Sequence, residues 1–226
     1  MCLRPRCRPV LDRLAMKLYG SSNNKSFNTL KLRFALAEIG AAYDFVPVDL
    51  GKGESRTSEF LRINPHGKVP VLVDGDFALP ESGAILWYLG EKYPDAQLLP
   101  RADGTAATLQ ARAQILRFSD LAATAFYPAY SEWWNATNSD DPAKRNPAVA
   151  DAALGKLTRA LGVLEKTLAT GDHLVGPFSL ADIANASIIF SLKRRLPSDP
   201  LAAHERVRAW YQRVTARSAW QTVAAE

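Results

Sequence analysis

From residue 27 to residue 39, apolar side chains recur at Phe27, Leu30, Phe34 and Ala37, the three-and-four spacing of one helix face. A second apolar set, Leu32, Leu36 and Ile39, lies opposite, leaving a narrow polar stripe with Lys31, Arg33 and Glu38. A helix that is apolar on two sides has to be covered on two sides. Gly40 supplies its C-cap. Residues 16–20, ending in Gly20, and residues 43–48 read as strands, with a polar, Asn-rich loop over 21–26 after the first. Residues 58–63 read as a short helical turn. A strand over 69–73, the Asp74-Gly75 turn and a strand over 76–79 form a predicted hairpin, and residues 82–93 a helix with Ile85, Leu86 and Leu89 inward. The order β-α-β-α-β-β-α needs one parallel and one antiparallel pairing, so the sheet is mixed.

Residues 94–104 hold two prolines and no periodicity, and read as a linker. Beyond them the strand signals stop. Leu154, Leu157, Leu161, Leu164 and Leu168 keep helical spacing, as do Val207, Trp210, Tyr211 and Val214. Ser179, with Asp182 three residues on, is a helix-start box. The expected fold is therefore α/β plus all-α: a small mixed-sheet domain over 16–93, a linker over 94–104 and a helical domain over 105–226. The helical domain would cover the outer face of helix 27–39. Residues 1–15 form an extension outside both.

The chain has 226 residues, 47% of them hydrophobic, enough for one large core or two small ones. Its longest apolar run, Ala84 to Leu89, is far short of the ~18 residues a spanning helix needs, so no membrane segment is expected. The net charge of +5 raises the question of an anionic partner. However, Arg4, Arg6, Arg8 and Arg13 against Asp12 put +3 of it into the extension. No nucleic-acid surface is expected from the rest, where both signs are interspersed. The compact basic run Lys193-Arg194-Arg195 reads either as a solvated helix end or as a phosphate site, the first being favoured by the helix dipole. Cys2 and Cys7 also lie in the extension, and His66, His173 and His204 are widely separated, so neither a disulfide framework nor a metal centre is expected. Thiol chemistry would need a thiol from outside. The extension lacks the apolar stretch of a signal peptide and reads as a transit segment or as sequence upstream of a true start at Met16. A reducing, cytoplasmic setting follows.

Three short motifs carry chemistry: Ser26-Phe27-Asn28, Lys68-Val69-Pro70-Val71-Leu72 and Glu81-Ser82-Gly83-Ala84-Ile85. Ser26 stands where helix 27–39 begins, as an N-cap or as a hydroxyl aimed at a ligand. Pro70 has no N–H and fits poorly inside a paired strand. Glu81 and Ser82 open the next helix, either as plain caps or as an anion site formed by free N–H groups and the positive dipole end. Tyr127, Tyr130 and Trp134 fall at i, i+3 and i+7 on one face, with Phe126 and Trp133 beside them. Such a stripe suits a core as well as a pocket. Pro128 within it is expected to kink the helix.

In their order, and in the eleven-residue step from Pro70 to Glu81, these motifs resemble the glutathione S-transferases, in the manner of the serine-type phi, theta and zeta classes. The resemblance runs from Met16 over nearly the whole chain. It implies a thioredoxin-like first domain, a cis bond before Pro70, glutathione as co-substrate and a homodimer. Residue by residue, it implies that Ser26, fourteen residues before Gly40, holds the thiolate with Asn28 assisting, Ser21 and Ser22 being the rivals in an unusually long loop. It further implies Val69 against the cysteinyl unit, Glu81 and Ser82 on the γ-glutamyl group, and Lys68 and Arg56 at the glycine carboxylate, although either cation could simply be solvated. Tyr127, Tyr130 and Trp134 would then face a small hydrophobic electrophile. The implied activity is conjugation of the thiolate, a detoxification reaction; a glutathione-dependent isomerase or peroxidase, or a non-catalytic relative, are the alternatives.

Overall fold

The structure is a computed structural model and describes residues 16–23 and 26–225. The expectations placed on residues 1–15, with Cys2 and Cys7, lie outside the described residues, as do Asn24 and Lys25 of the loop before the first helix.

Strand β1 (Met16–Ser21) pairs in parallel with β2 (Tyr43–Val48) and antiparallel with β3 (Val71–Asp74), which pairs antiparallel with β4 (Phe77–Pro80). The sheet order is β2-β1-β3-β4. Two strand starts differ from the sequence reading. β3 begins at Val71 and not at 69, because Pro70 has no N–H to give the ladder. β4 begins at Phe77 because Gly75 and Asp76 form the two-residue turn closed by the Asp74–Phe77 pair. Pro47 and Pro80 both lie on edge strands, where a missing donor is tolerated.

Helix α1 (Phe27–Ile39) ends at Gly40, whose φ of 69° is the left-handed cap that glycine adopts freely. It is followed by α2 (Ser58–Ile63) and α3 (Ser82–Lys92). The helical part comprises α4 (Ala106–Leu121), a π-helical turn over Ala122–Phe126, α5 (Tyr127–Asn138), α6 (Pro147–Thr167), α7 (Leu180–Arg195), α8 (Glu205–Thr215) and α9 (Ser218–Ala225). As the double apolar face requires, α1 packs on α3 and, on its other side, on α7 and α9. Phe34 is fully buried there, 5.1 Å from Trp220 in an edge-on contact and 6.0 Å from Phe178.

The polar stripe of α1 is not a solvated one. Lys31 is 3% and Arg33 7% exposed, since the two halves of the fold close over them. The Arg33 guanidinium lies 5.1 Å from the Phe45 ring centroid, and Glu38 receives Arg217 bidentately at 2.6 and 2.8 Å. Around Pro128 the helical run does not keep a regular ladder: the backbone stays helical from α4 into α5, but a π turn over Ala122–Phe126 directly precedes the proline, whose missing N–H cannot continue the i→i−4 pattern.

The Ser179–Asp182 box opens α7. Buried Asp182 accepts from Leu174 N (3.0 Å), Ser179 N (2.9 Å), Ser179 Oγ (3.2 Å) and Trp210 Nε1 (2.7 Å). Burial pushes its carboxyl above the ordinary value, while these donors and nearby His173 oppose that shift.

Candidate functional site

A cleft of about 660 Å³ opens between the end of the sheet and the helical part. One wall carries Ser26, Asn28, Arg56, Lys68, Val69, Pro70, Glu81 and Ser82; the other carries Ala123, Tyr127, Tyr130, Ser191 and Arg195.

Close packing places Ser26. A Cβ on Gly20 would stand 2.5 Å from Thr29 Cγ2 and 2.7 Å from the Phe45 ring, so only glycine lets α1 approach the end of β1 this closely. Thr29 Oγ1 then accepts from Ser21 N at 3.2 Å. Ser26 caps α1 with extended backbone (φ −89°, ψ 106°), its Oγ accepting from Thr29 N at 3.3 Å. A hydroxyl whose acceptor side is so used keeps its proton for a ligand. The first turn of α1 contains no acid, so its dipole and N–H groups are not internally neutralised. Neither rival lines this cleft. Ser21 is buried at the end of β1 with its hydroxyl on Asn23 Oδ1 (3.1 Å), and exposed Ser22 donates its N–H to Val48 O (3.0 Å).

Glu81, the N-cap of α3, has φ 70° and ψ 109°, outside the wells that side chains other than glycine occupy. A non-glycine residue held so costs about 1–3 kcal/mol and points to a functional constraint. Ser82 Oγ donates to Asn28 Oδ1 at 3.0 Å, joining the starts of α3 and α1. Lys31, buried behind this pair of helix starts, has its amine pushed down to about 8 by burial, against the opposing pull of Asp120 and Glu81. The Val69–Pro70 bond is cis, and Val69 stands outside the ladder, which starts at Val71.

Arg56 and Lys68 are exposed at the far end of the cleft. Gly67 seats Arg56. Its φ is 61°, and a Cβ there would meet Arg56 Nη1 at 2.8 Å and Ser55 O at 2.9 Å. Arg56 Nη1 in turn donates to His66 O at 3.4 Å. Buried Asn64 fixes the same loop by donating to Lys68 O (2.7 Å) and accepting from His66 N (3.1 Å).

On the opposite wall, half-exposed Tyr127 rests on Phe27 with ring centroids 5.6 Å apart. Tyr130 presents its hydroxyl, which accepts from Arg195 Nη1 at 2.9 Å. Trp134 stands beyond the cleft lining and meets the site through the Arg195 guanidinium, 5.1 Å from its ring. The basic run thus divides. Lys193 pairs with Asp199 at 2.8 Å, Arg194 lies 5.1 Å from the Phe190 ring, and Arg195 turns into the cleft. Ser55, Asn64 and Ser191 were not singled out in the sequence, and Arg195 stood out only as part of the basic run at a helix end. The four-residue step from Ser191 to Arg195, one helix face ending in a charge, was the signal available for two of them.

Among the described residues no helix is long and apolar enough to cross a membrane, and no cluster of three or more His, Cys, Asp or Glu could hold a metal ion.

Comparison with known proteins bears on this geometry. The profile described as "Glutathione S-transferase, N-terminal domain" matches residues 14–91, and the one described as "Glutathione S-transferase, C-terminal domain" matches residues 140–218. The chain is 35% identical to glutathione S-transferase F10 of Arabidopsis thaliana over 197 residues, covering 84% of this chain and 89% of that protein. It is 35% identical to glutathione S-transferase 3 of Zea mays over 218 residues, 93% of this chain and 94% of the other. Among solved structures, glutathione S-transferase-I bound with lactoylglutathione superimposes with a TM-score of 0.78 at 32% identity, covering 93% of this chain and 99% of that one. A glutathione transferase of Phanerochaete chrysosporium in complex with oxidized glutathione shares the fold, with a TM-score of 0.83 at 24% identity over 95% and 96% of the two chains. A thioredoxin-like domain with a four-stranded mixed sheet, a helical second domain and these matches along the sequence together establish that the chain belongs to the glutathione S-transferase family.

Proposed function

We propose that this protein is a glutathione transferase in which Ser26 holds the glutathione thiolate for attack on a small electrophile. The observation that carries the reading is the position of Ser26: a capping hydroxyl with its acceptor side engaged, at an unneutralised helix start, on the wall of the cleft. A free thiol with pKa about 8.5 is only a few per cent thiolate at pH 7. Lowering that value by two units needs about 2.7 kcal/mol of preferential binding to the anion. A hydrogen bond to a charged group supplies ~1.5–3 kcal/mol and a helix start ~0.3–1 kcal/mol, so Ser26 and α1 suffice together. With a chloroarene the sulfur forms the new bond to carbon, chloride leaves with its electron pair, and the thiol proton has already gone to solvent.

The rest of the tripeptide follows the cleft. The γ-glutamyl carboxylate lies at the start of α3 on the backbone N–H groups and the Ser82 hydroxyl, and Glu81 faces the ammonium. The Ser82 hydroxyl donates to Asn28 Oδ1. When the carboxylate arrives, the Asn28 amide turns to donate instead, which releases that proton to the ligand. The main chain of Val69 pairs with the cysteinyl unit as a short added strand. Lys68 and Arg56 meet the glycine carboxylate, and Phe27, Tyr127 and Tyr130 take the electrophile. A reduced thiol co-substrate places the reaction in the cytoplasm.

A homodimer completes the proposal. Phe77 on β4 and Leu116 on α4 are 49% and 44% exposed, and the groove between α3 and α4 is lined by Leu79, Trp87 and Leu116. A second copy would cover this face. Sedimentation should give twice the chain mass, and Phe77→Asp with Leu116→Asp should give the monomer. Titration calorimetry with glutathione and turnover of 1-chloro-2,4-dinitrobenzene test the function. Saturable binding with formation of the S-dinitrophenyl conjugate is expected, and a protein that binds no glutathione would overturn the reading.

A further inference from the structure

Asn185 on α7 is fully buried, and its side-chain nitrogen donates to two carbonyls, Ala181 O on its own helix and Phe118 O on α4, each at 2.8 Å. Both partners are acceptors, which fixes the orientation of the amide and leaves Oδ1 with no hydrogen-bond partner among the described residues. The Phe118 carbonyl stands where the ladder of α4 changes step. The Ala122 N–H, which in a regular helix would serve it, goes to Asp120 O, and the Tyr127 N–H reaches back five residues to Ala122 O. Thr124 Oγ1, inside the widened turn, donates to Asp120 O at 2.9 Å. Such π turns are rare and concentrate at functional sites. Stability does not account for an asparagine at 185. Leucine there would leave Phe118 O unserved but would also remove the orphaned Oδ1, so the two costs offset.

The widened turn shapes the cleft. Ala123 within it, and Tyr127 and Tyr130 beyond it, line the wall opposite the proposed glutathione site. Each residue of a helix advances about 100° around the axis, so closing the turn by one residue would rotate α5 by about that much. Tyr127, half-exposed against Phe27 with ring centroids 5.6 Å apart, would leave the wall. Resting on the glutathione reading above, we propose that Asn185 is a positioning residue for the electrophile: its bond to Phe118 O holds the turn that aims Ala123, Tyr127 and Tyr130 into the cleft, and so sets how well an aromatic electrophile is held. Asn185 does not line the cleft and acts through these residues.

The readout is the affinity of S-(2,4-dinitrophenyl)glutathione relative to that of glutathione, both by titration calorimetry, because a general loss of structure weakens the two ligands together. In Asn185→Leu that ratio should fall about 3- to 10-fold, the size of one aromatic contact. Asn185→Ser should show the same fall. Its hydroxyl can bond back to Ala181 O, as Ser187 Oγ does to Ile183 O at 2.8 Å, but does not reach α4. The serine variant, with its local bond intact, covers the case in which leucine prevents folding. Glutathione affinity itself should hold, and KM for 1-chloro-2,4-dinitrobenzene should rise with kcat changed less. Ser187→Ala, which removes a local bond on the same helix, should keep the parent's ratio. An unchanged ratio in the folded Asn185 variants, an equal fall for both ligands, or a matching fall in Ser187→Ala would each overturn the proposal and leave the glutathione reading standing. A parent protein that binds neither ligand would remove the glutathione reading, and this proposal with it.

Discussion

The Ser82 hydroxyl donates to Asn28 Oδ1 across 3.0 Å and 54 residues of sequence, tying the start of α3 to the start of α1. The proposed carboxylate site and the proposed thiolate site are therefore mechanically linked: one side chain orders both helix starts.

This link gives a double-mutant cycle. Asn28→Ala and Ser82→Ala are each expected to weaken glutathione binding by about 1 kcal/mol, the size of one hydrogen bond to a charged group lost in part. The double variant should lose less than the sum, with a coupling of at least ~0.5 kcal/mol. Calorimetric affinities that add without coupling would show the two residues acting independently.

Lys31 makes a prediction about stability and pH. Its amine titrates at about 8 in the fold, from an ordinary 10.5, because burial disfavours the charged form. Below pH 8 the lysine is charged in both the folded and unfolded chains, and the burial penalty is felt in full. Between about 8 and 10.5 the unfolded chain binds more protons, so stability should rise with pH, by up to about 3 kcal/mol. Urea unfolding from pH 7 to 10.5 should show this rise relative to Lys31→Met. Parallel curves would mean that the folded amine titrates normally.

Asp182 is the acceptor for four donors, two of them backbone N–H groups and one the Trp210 indole. Asp182→Ala would leave them buried and unpaired, at a cost of about 3 kcal/mol or more. Asp182→Asn, which keeps one carbonyl oxygen, should cost less. Denaturant midpoints measure both. A loss under 1 kcal/mol in the alanine variant would show that water or a rearranged loop takes over the donors.

Much of the fold was legible because local signals agreed with the global architecture. The bounds of α1 followed from periodicity and from Gly40, and the two apolar faces of that helix required a second domain over it. The failures have a common physical origin. Lys31 and Arg33 read only as a polar stripe because sequence shows residue type and spacing but not what closes over it; here the Phe45 ring of β2 lies over Arg33, and Lys31 is buried near Glu81 and Asp120. Arg195 was hidden inside a run of three cations whose partners, Asp199, Phe190, Tyr130 and Trp134, include two that lie more than 60 residues away. The strain at Glu81 has no signature in sequence at all, since its neighbours are ordinary helix-start residues.

The central claim, that Ser26 holds the thiolate, is tested most directly by titrating the ultraviolet thiolate absorbance of bound glutathione against pH. Ser26→Ala, Ser21→Ala and Ser22→Ala are each compared with the parent. Ser26→Ala should raise the apparent pKa of bound glutathione by ~1–2 units, keep its affinity within a few-fold and cut neutral-pH turnover ~10- to 100-fold, the equivalent of one hydrogen bond to a charge. Ser21→Ala and Ser22→Ala should titrate like the parent. A Ser26→Ala enzyme with the parent's titration curve, alongside a shifted curve for Ser21→Ala or Ser22→Ala, would contradict the account and move the thiolate site to the end of β1.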